Sequence, residues 1–127
     1  MAGRVVSGTG QAGFFTRLDW VRQQCLQKLG FAPYPGTLNI QVFAEYLPTV
    51  AVLQGEAGCS LVPPADNFCT GKVLPVTVGG IRGGLIVPEE EVRVHGASTV
   101  EVMAPVGLKK HLGLRDGDAV EFVVHAL

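Results

Sequence analysis

The chain has 127 residues, a length that suits one domain with a modest core and no need of cross-links. Hydrophobic residues make up 47% and charged residues 17%, which excludes a disordered chain, while 17 glycines and 8 prolines favour short strands and turns over a helical bundle. The net charge of −1 argues against a general nucleic-acid binder, which carries a strong basic excess, yet leaves room for a small anion held by local donors.

Arg4 to Ser7 reads as a short strand. Gly8 to Gly13 follows as a glycine-rich loop whose spacing is formally G-x-G-x-x-G. A dinucleotide-binding fold is rejected, because the chain is too short for the usual parallel sheet and no strand–helix alternation follows. What the loop keeps is close approach of backbone N–H groups to phosphate oxygens. A hairpin turn uses glycines in the same way, and on the loop alone it is the simpler reading.

Thr16-Arg17-Leu18-Asp19 resembles a capping box and predicts a helix over about residues 17–29. Leu18, Val21, Cys25 and Leu29 recur at helical spacing, with Leu26 beside them, and Gly30 stands where a C-terminal glycine cap belongs. Cys25 on the apolar face reads as packing and not as a nucleophile. Trp20 reads equally as edge packing or as part of a binding wall.

Pro33 to Gly36 predicts a tight turn, with Pro35 fixing its own φ and Gly36 supplying a positive one. The chain leaves it extended over Thr37 to Val42. Alternation then puts Thr37 and Asn39 on one face and Leu38 and Ile40 on the other. A hydroxyl and an amide oxygen side by side suit Mg²⁺, which takes few protein ligands and completes its shell with phosphate and water. The same residues also read as a Pro-Gly turn into an ordinary half-buried strand, and on this stretch alone that reading is preferred.

Ala44 to Leu53 is expected to be part loop and part strand, and Pro63 to Asn67 a turn. Gly71 to Val78 predicts a strand made an edge or a bulge by Pro75. Gly79-Gly80 and Gly83-Gly84 bracket a reversal into Leu85 to Val87. Glu89 to Glu91 reads as a solvated turn, and Val92 to Val94 as a short extended piece. Val100 to Met103 predicts a strand with Glu101 pointing away from Val100 and Val102. Ala104-Pro105 is expected to start a short helix through Leu108 and Leu112, followed by a turn at Arg115 to Asp118. Val120, Phe122 and Val124 alternate as a last strand. Roughly eight strands, one long helix and one short helix without βαβ repeats imply a mainly β, closed and antiparallel-rich barrel.

The three cysteines, Cys25, Cys59 and Cys69, form no C-x-x-C pair, so neither a disulfide framework nor a zinc site is expected. With no signal-peptide core and no membrane-spanning run, a cytoplasmic setting is the simplest expectation. His95, His111 and His125 share no ligand spacing and read as surface or capping residues.

Three segments carry a resemblance. Gly30-Phe31-Ala32-Pro33-Tyr34-Pro35-Gly36-Thr37-Leu38-Asn39 is similar to the hallmark segment of the archaeal-type, CTP-dependent riboflavin kinases. Gly8-Thr9-Gly10-Gln11-Ala12-Gly13-Phe14-Phe15 precedes it in the family's order. Glu101-Val102-Met103-Ala104-Pro105 through Leu114-Arg115-Asp116-Gly117-Asp118 follows. Only the middle, roughly Ala44 to Asn67, lacks a match. The resemblance implies one domain over residues 1–127, a six-stranded cradle-loop barrel of the swapped-hairpin, RIFT-like kind with a helix at its side. It implies transfer of the CTP γ-phosphate to riboflavin, giving FMN and CDP, by a monomer that needs neither nucleic acid nor membrane.

The resemblance also implies a distribution of roles. Thr9, Gly10, Gln11, Ala12, Gly13 and Phe14 would bind the nucleotide phosphates. Val106, Gly107, Leu108 and Lys109 would bind its base and ribose. Thr37 and Asn39 would hold Mg²⁺, and Arg93 and Glu101 would meet the flavin. Two positions depart from the family: Ala12 replaces a usual glycine, and Arg93 stands where a hydroxyl residue is usual. The proton acceptor is not identified, with Glu101 as a candidate. Two other readings compete. One is a swapped-hairpin barrel acting as a transcription regulator, which is usually shorter, dimeric and basic on one face. The other is a flavin- or nucleotide-binding relative with lost or altered activity, which Ala12 and Arg93 leave open.

Overall fold

Apolar alternation builds the barrel from both ends of the chain inward. The computed structural model describes residues 1–8, 16–54, 59–61, 71–87 and 99–125. Its strands are β1 (Ala2–Val6), β2 (Leu38–Val42), β3 (Cys59–Leu61), β4 (Gly71–Val78), β5 (Ile81–Val87), β6 (Thr99–Met103), β7 (Ala119–Glu121) and β8 (Val123–Val124). Its helices are α1 (Asp19–Lys28), α2 (Leu47–Gln54) and α3 (Leu108–His111), with a 3₁₀ turn at Ala44–Tyr46.

The sheet runs β3-β4-β5-β6-β2-β1-β7, and β8 returns to pair with β4, so the sheet nearly closes on itself. Every pairing is antiparallel. The mainly β barrel expected from the sequence is therefore present, and the described residues form the roughly eight strands tallied there, two more than the six that the resemblance implies. The surplus has a simple source. β3 lies outside the ring as an addition to β4, and the last stave is broken into β7, on β1, and β8, on β4. Phe122, 1% exposed, sits at the break, where its N–H bonds to the Met1 carbonyl at 2.8 Å. The predicted alternation of Val120, Phe122 and Val124 holds as burial, while the single continuous strand does not.

Val5, Leu38, Ile40, Leu74, Val76, Val78, Leu85, Val102 and Phe122 fill the barrel interior. The outer faces of β4 and β6 carry a second cluster, in which Val73 and Met103 pack against Val21 and Cys25 of α1. Trp20 packs beside them, as edge packing. A β-carbon at Gly84 would lie 2.5 Å from Val73 Cγ1 and 3.2 Å from Leu29 Cδ1, so a bare backbone there admits the helix.

Several local expectations need correction. α1 starts at Asp19 after Leu18 turns extended (φ −64°, ψ 134°), with no side-chain cap. Thr16 is fully buried, and its hydroxyl accepts the Gly36 N–H at 2.8 Å, so it serves the Pro-Gly turn. Gly30 ends the helix as expected, at φ 84°. Ala44 to Leu53, read as part loop and part strand, falls in the 3₁₀ turn and α2. Pro48 falls in that helix's first turn, where a missing N–H is harmless.

β4 is no edge, because it pairs with β5 throughout and with β3 and β8 on its other side. Pro75 lies between those two shorter partners. Its carbonyl accepts the His125 N–H at 2.8 Å, so its missing donor faces that side too. The reversal before β5 is made by Gly79 and Gly80, both at positive φ, and Gly83 and Gly84 lie within β5. The short helix begins at Leu108 and not at Ala104-Pro105. The readings of Pro63 to Asn67, Glu89 to Glu91, Val92 to Val94 and His95 lie outside the described residues.

Candidate functional site

The Pro33–Gly36 turn is held at both ends. Tyr34 N–H bonds to the Ala104 carbonyl at 2.8 Å, just past β6, and Gly36 N–H bonds to Thr16. Gly36 takes φ 113°, which an L side chain rarely adopts. The turn therefore launches β2 from a fixed point.

β2 then presents Thr37 and Asn39, both half-buried, while Leu38 and Ile40 enter the core. Asn39 lies opposite Glu101 in the β2–β6 ladder. Thr37 Oγ1 donates to Glu101 Oε1 at 3.1 Å, and Asn39 Nδ2 donates to the Thr37 carbonyl at 3.5 Å. Spending the Thr37 proton on Glu101 leaves that hydroxyl's lone pairs to face a cation. A neutral hydroxyl, an amide oxygen and a nearby carboxyl are hard oxygen donors, and this set fits Mg²⁺. Among the described residues, no group of three or more His, Cys, Asp or Glu side chains is placed to hold a metal.

The start of the glycine-rich segment touches this pair. A β-carbon at Gly8 would lie 2.5 Å from Asn39 Nδ2, so a side chain there would displace the Asn39 amide. Thr9, Gly10, Gln11, Ala12, Gly13 and Phe14 lie outside the described residues, and so does Arg93.

A cleft of about 160 Å³ opens beside the pair, with Tyr34, Thr37, Val106, Gly107, Leu108 and Lys109 among its lining residues. One candidate metal ligand thus shares a cleft with all four residues that the resemblance gives to base and ribose. Val106 lies in a bend and Gly107 is extended, at φ −72° and ψ 97°, just before α3. The Tyr34 ring covers Gly107, where a β-carbon would come 3.0 Å from Tyr34 Cε1.

Lys109 is tied at the rim. Its Nζ contacts Asp116 Oδ1 at 2.6 Å, and the Ser7 hydroxyl donates to Asp116 Oδ2. These two bonds, that of Lys109 foremost, hold the Asp116 carboxyl below the usual carboxylate range. Sequence reading took Asp116 only as a turn residue and Tyr34 only as part of the Pro-Gly segment. The signal that could have marked Tyr34 was a large aromatic beside two prolines, which stays 49% exposed.

Other reactive groups stand apart from the cleft. Cys25 is fully buried, and burial pushes its thiol up to about 11, in keeping with a packing role. His125 Nε2 bonds with Thr77 Oγ1 at 2.7 Å, and His111 is exposed on α3. Among the described residues, no helix is long and apolar enough to cross a membrane.

Comparison with known proteins follows the same outline. The sequence profile of the CTP-dependent riboflavin kinase family, described as a domain of unknown function (DUF120), matches residues 5–124. The chain is similar to a protein named riboflavin kinase from Pyrobaculum arsenaticum, with 38% identity over 98% of this chain and 60% of the relative. Proteins of the same name from Methanocella arvoryzae and Ignicoccus hospitalis share 37% and 34% identity, over 95% and 98% of this chain and 55% and 70% of their own. The chain spans little more than half the length of the first two.

Proposed function

Because this chain belongs to the CTP-dependent riboflavin kinase family, we propose that it transfers the γ-phosphate of CTP to the terminal ribityl hydroxyl of riboflavin, giving FMN and CDP. One observation carries this reading. Thr37 lines the cleft that holds Val106 to Lys109, and it is hydrogen-bonded to Glu101. The nucleotide side and the flavin side of the reaction meet at that residue.

Phosphoryl transfer asks a protein mainly for positioning and charge stabilisation. The glycine-rich loop, Thr9 to Phe14, supplies backbone donors to the phosphates. Val106, Gly107 and Leu108 receive base and ribose, with Lys109 as a local cation. Glu101 accepts the Thr37 proton and so orients that hydroxyl. It is also the candidate to take the proton of the attacking ribityl hydroxyl. Thr37 and Asn39 would hold Mg²⁺, which when bound neutralises charge on the β- and γ-phosphates. Arg93 adds a cation to the flavin side and favours a phosphorylated flavin. Residues 1–127 act as one barrel domain, as a monomer in the cytoplasm, without nucleic acid or membrane.

Incubation with CTP, Mg²⁺ and riboflavin tests the reading. FMN and CDP are expected in equal amounts. CDP released without FMN would make the chain a nucleotidase, and no turnover at all would leave it a binding relative.

A further inference from the structure

We infer that Asp116 is a positioning residue that, anchored by Ser7 at the end of β1, holds Lys109 in place for the nucleotide. The inference rests on the proposed use of that nucleotide. Its observations lie in three separate elements. Ser7 follows β1, Lys109 belongs to α3, and Asp116 sits in the Arg115–Asp118 turn. Ser7 and Asp116 are 109 residues apart in sequence, yet share a hydrogen bond.

The turn is itself fixed. Gly117 N–H bonds to the Val5 carbonyl at 2.7 Å, and Val5 N–H to the Asp118 carbonyl at 2.9 Å. Asp118 closes the turn from inside, accepting the Arg115 N–H on its carboxyl at 2.8 Å. Asp116 is thus carried on a rigid support against β1, with its side chain left to reach outward. Each of its oxygens takes one donor, Lys109 on Oδ1 and Ser7 on Oδ2.

That division has a chemical use. A lysine ammonium has three donors in a flexible arrangement. Asp116 takes one, which restrains the ammonium of a residue that lines the cleft. On the other side, Ser7 precedes Gly8, whose backbone passes against the Asn39 amide. Asp116 therefore links Ser7, at the end of β1, to Lys109 of α3. An exposed ion pair contributes little to stability, so the pair's effect falls on placement and not on folding.

The test uses the whole chain with CDP as probe, by calorimetric titration, together with steady-state kinetics. Asp116→Asn should weaken CDP binding and raise the CTP KM about tenfold, with kcat and the riboflavin KM changed less than about twofold. The double variant Lys109→Met/Asp116→Asn should bind CDP no worse than Lys109→Met alone, because Asp116 acts through Lys109. Ser7→Ala should weaken CDP binding by about threefold and serves as a second check if Asp116→Asn fails to fold. Normal CDP binding by a folded Asp116→Asn, or effects that multiply in the double variant, would overturn the inference alone. No CDP binding by the unaltered protein would remove the functional reading, and the inference with it.

Discussion

Thr37 Oγ1 donates to Glu101 Oε1 over 3.1 Å, which joins a residue of the cleft proposed for the nucleotide to the carboxyl proposed for the flavin. The bond would let a neutral hydroxyl serve a cation: its proton is already spent, and its lone pairs are not. Thr37→Val removes those lone pairs at nearly constant shape. FMN formation should fall at least about a hundredfold, while Thr37→Ser keeps most activity. Circular dichroism should show both variants folded. A fully active Thr37→Val would remove Thr37 from the metal site.

Asn39 is expected to contribute its amide oxygen to the same cation. Asn39→Leu should shift the Mg²⁺ dependence of the reaction to about tenfold higher concentration, or abolish it. Asn39→Asp should shift it the other way, since a charged oxygen binds Mg²⁺ more strongly. Identical Mg²⁺ curves for the three proteins would contradict the assignment.

Thr16 offers a test of the fold beneath the site. Its hydroxyl is the acceptor for Gly36 N–H, in a turn that aims β2. Thr16→Val leaves that half-buried donor without its acceptor, which costs about 1 kcal/mol. The urea midpoint should drop accordingly, and Thr16→Ser should restore much of it. An unchanged midpoint would mean that the turn holds itself.

Cys25 sets a pH dependence. Its thiol, ordinarily near 9, is raised to about 11 by burial, so the folded state favours the protonated form. That contribution is complete below pH 9 and is lost as pH rises toward 11. Denaturant midpoints should therefore fall across this window, and Cys25→Val should flatten this part of the fall. The same slope in both proteins would assign the loss to other groups.

The parts legible in the sequence were those set by local periodicity. The Pro-Gly turn and the alternation after it gave Thr37 and Asn39 a common face, and Glu101 was read correctly as pointing away from Val100 and Val102. What failed depended on partners distant in the chain. Val120, Phe122 and Val124 look like one strand because alternation reports burial, whereas the change of partner at Phe122 is a property of barrel closure. Leu47 to Gln54 is apolar on nearly every side, and so short a run fits strand or helix equally well. Thr16 has the chemistry of a helix cap, but a competing N–H from Gly36 claims it. Asp116 was invisible as a link because Ser7 and Lys109 meet it only after β1 and the last turn have paired.

The most direct measurement is FMN formation by the unaltered protein from riboflavin and Mg²⁺ with each of CTP, UTP, ATP and GTP in turn. If, as proposed, the backbone around Val106 to Lys109 reads the edge of a pyrimidine, turnover should be efficient with CTP and slight with the purine nucleotides. Equal turnover with ATP and CTP would contradict the placement of the base there, and absence of FMN with all four would contradict the kinase itself.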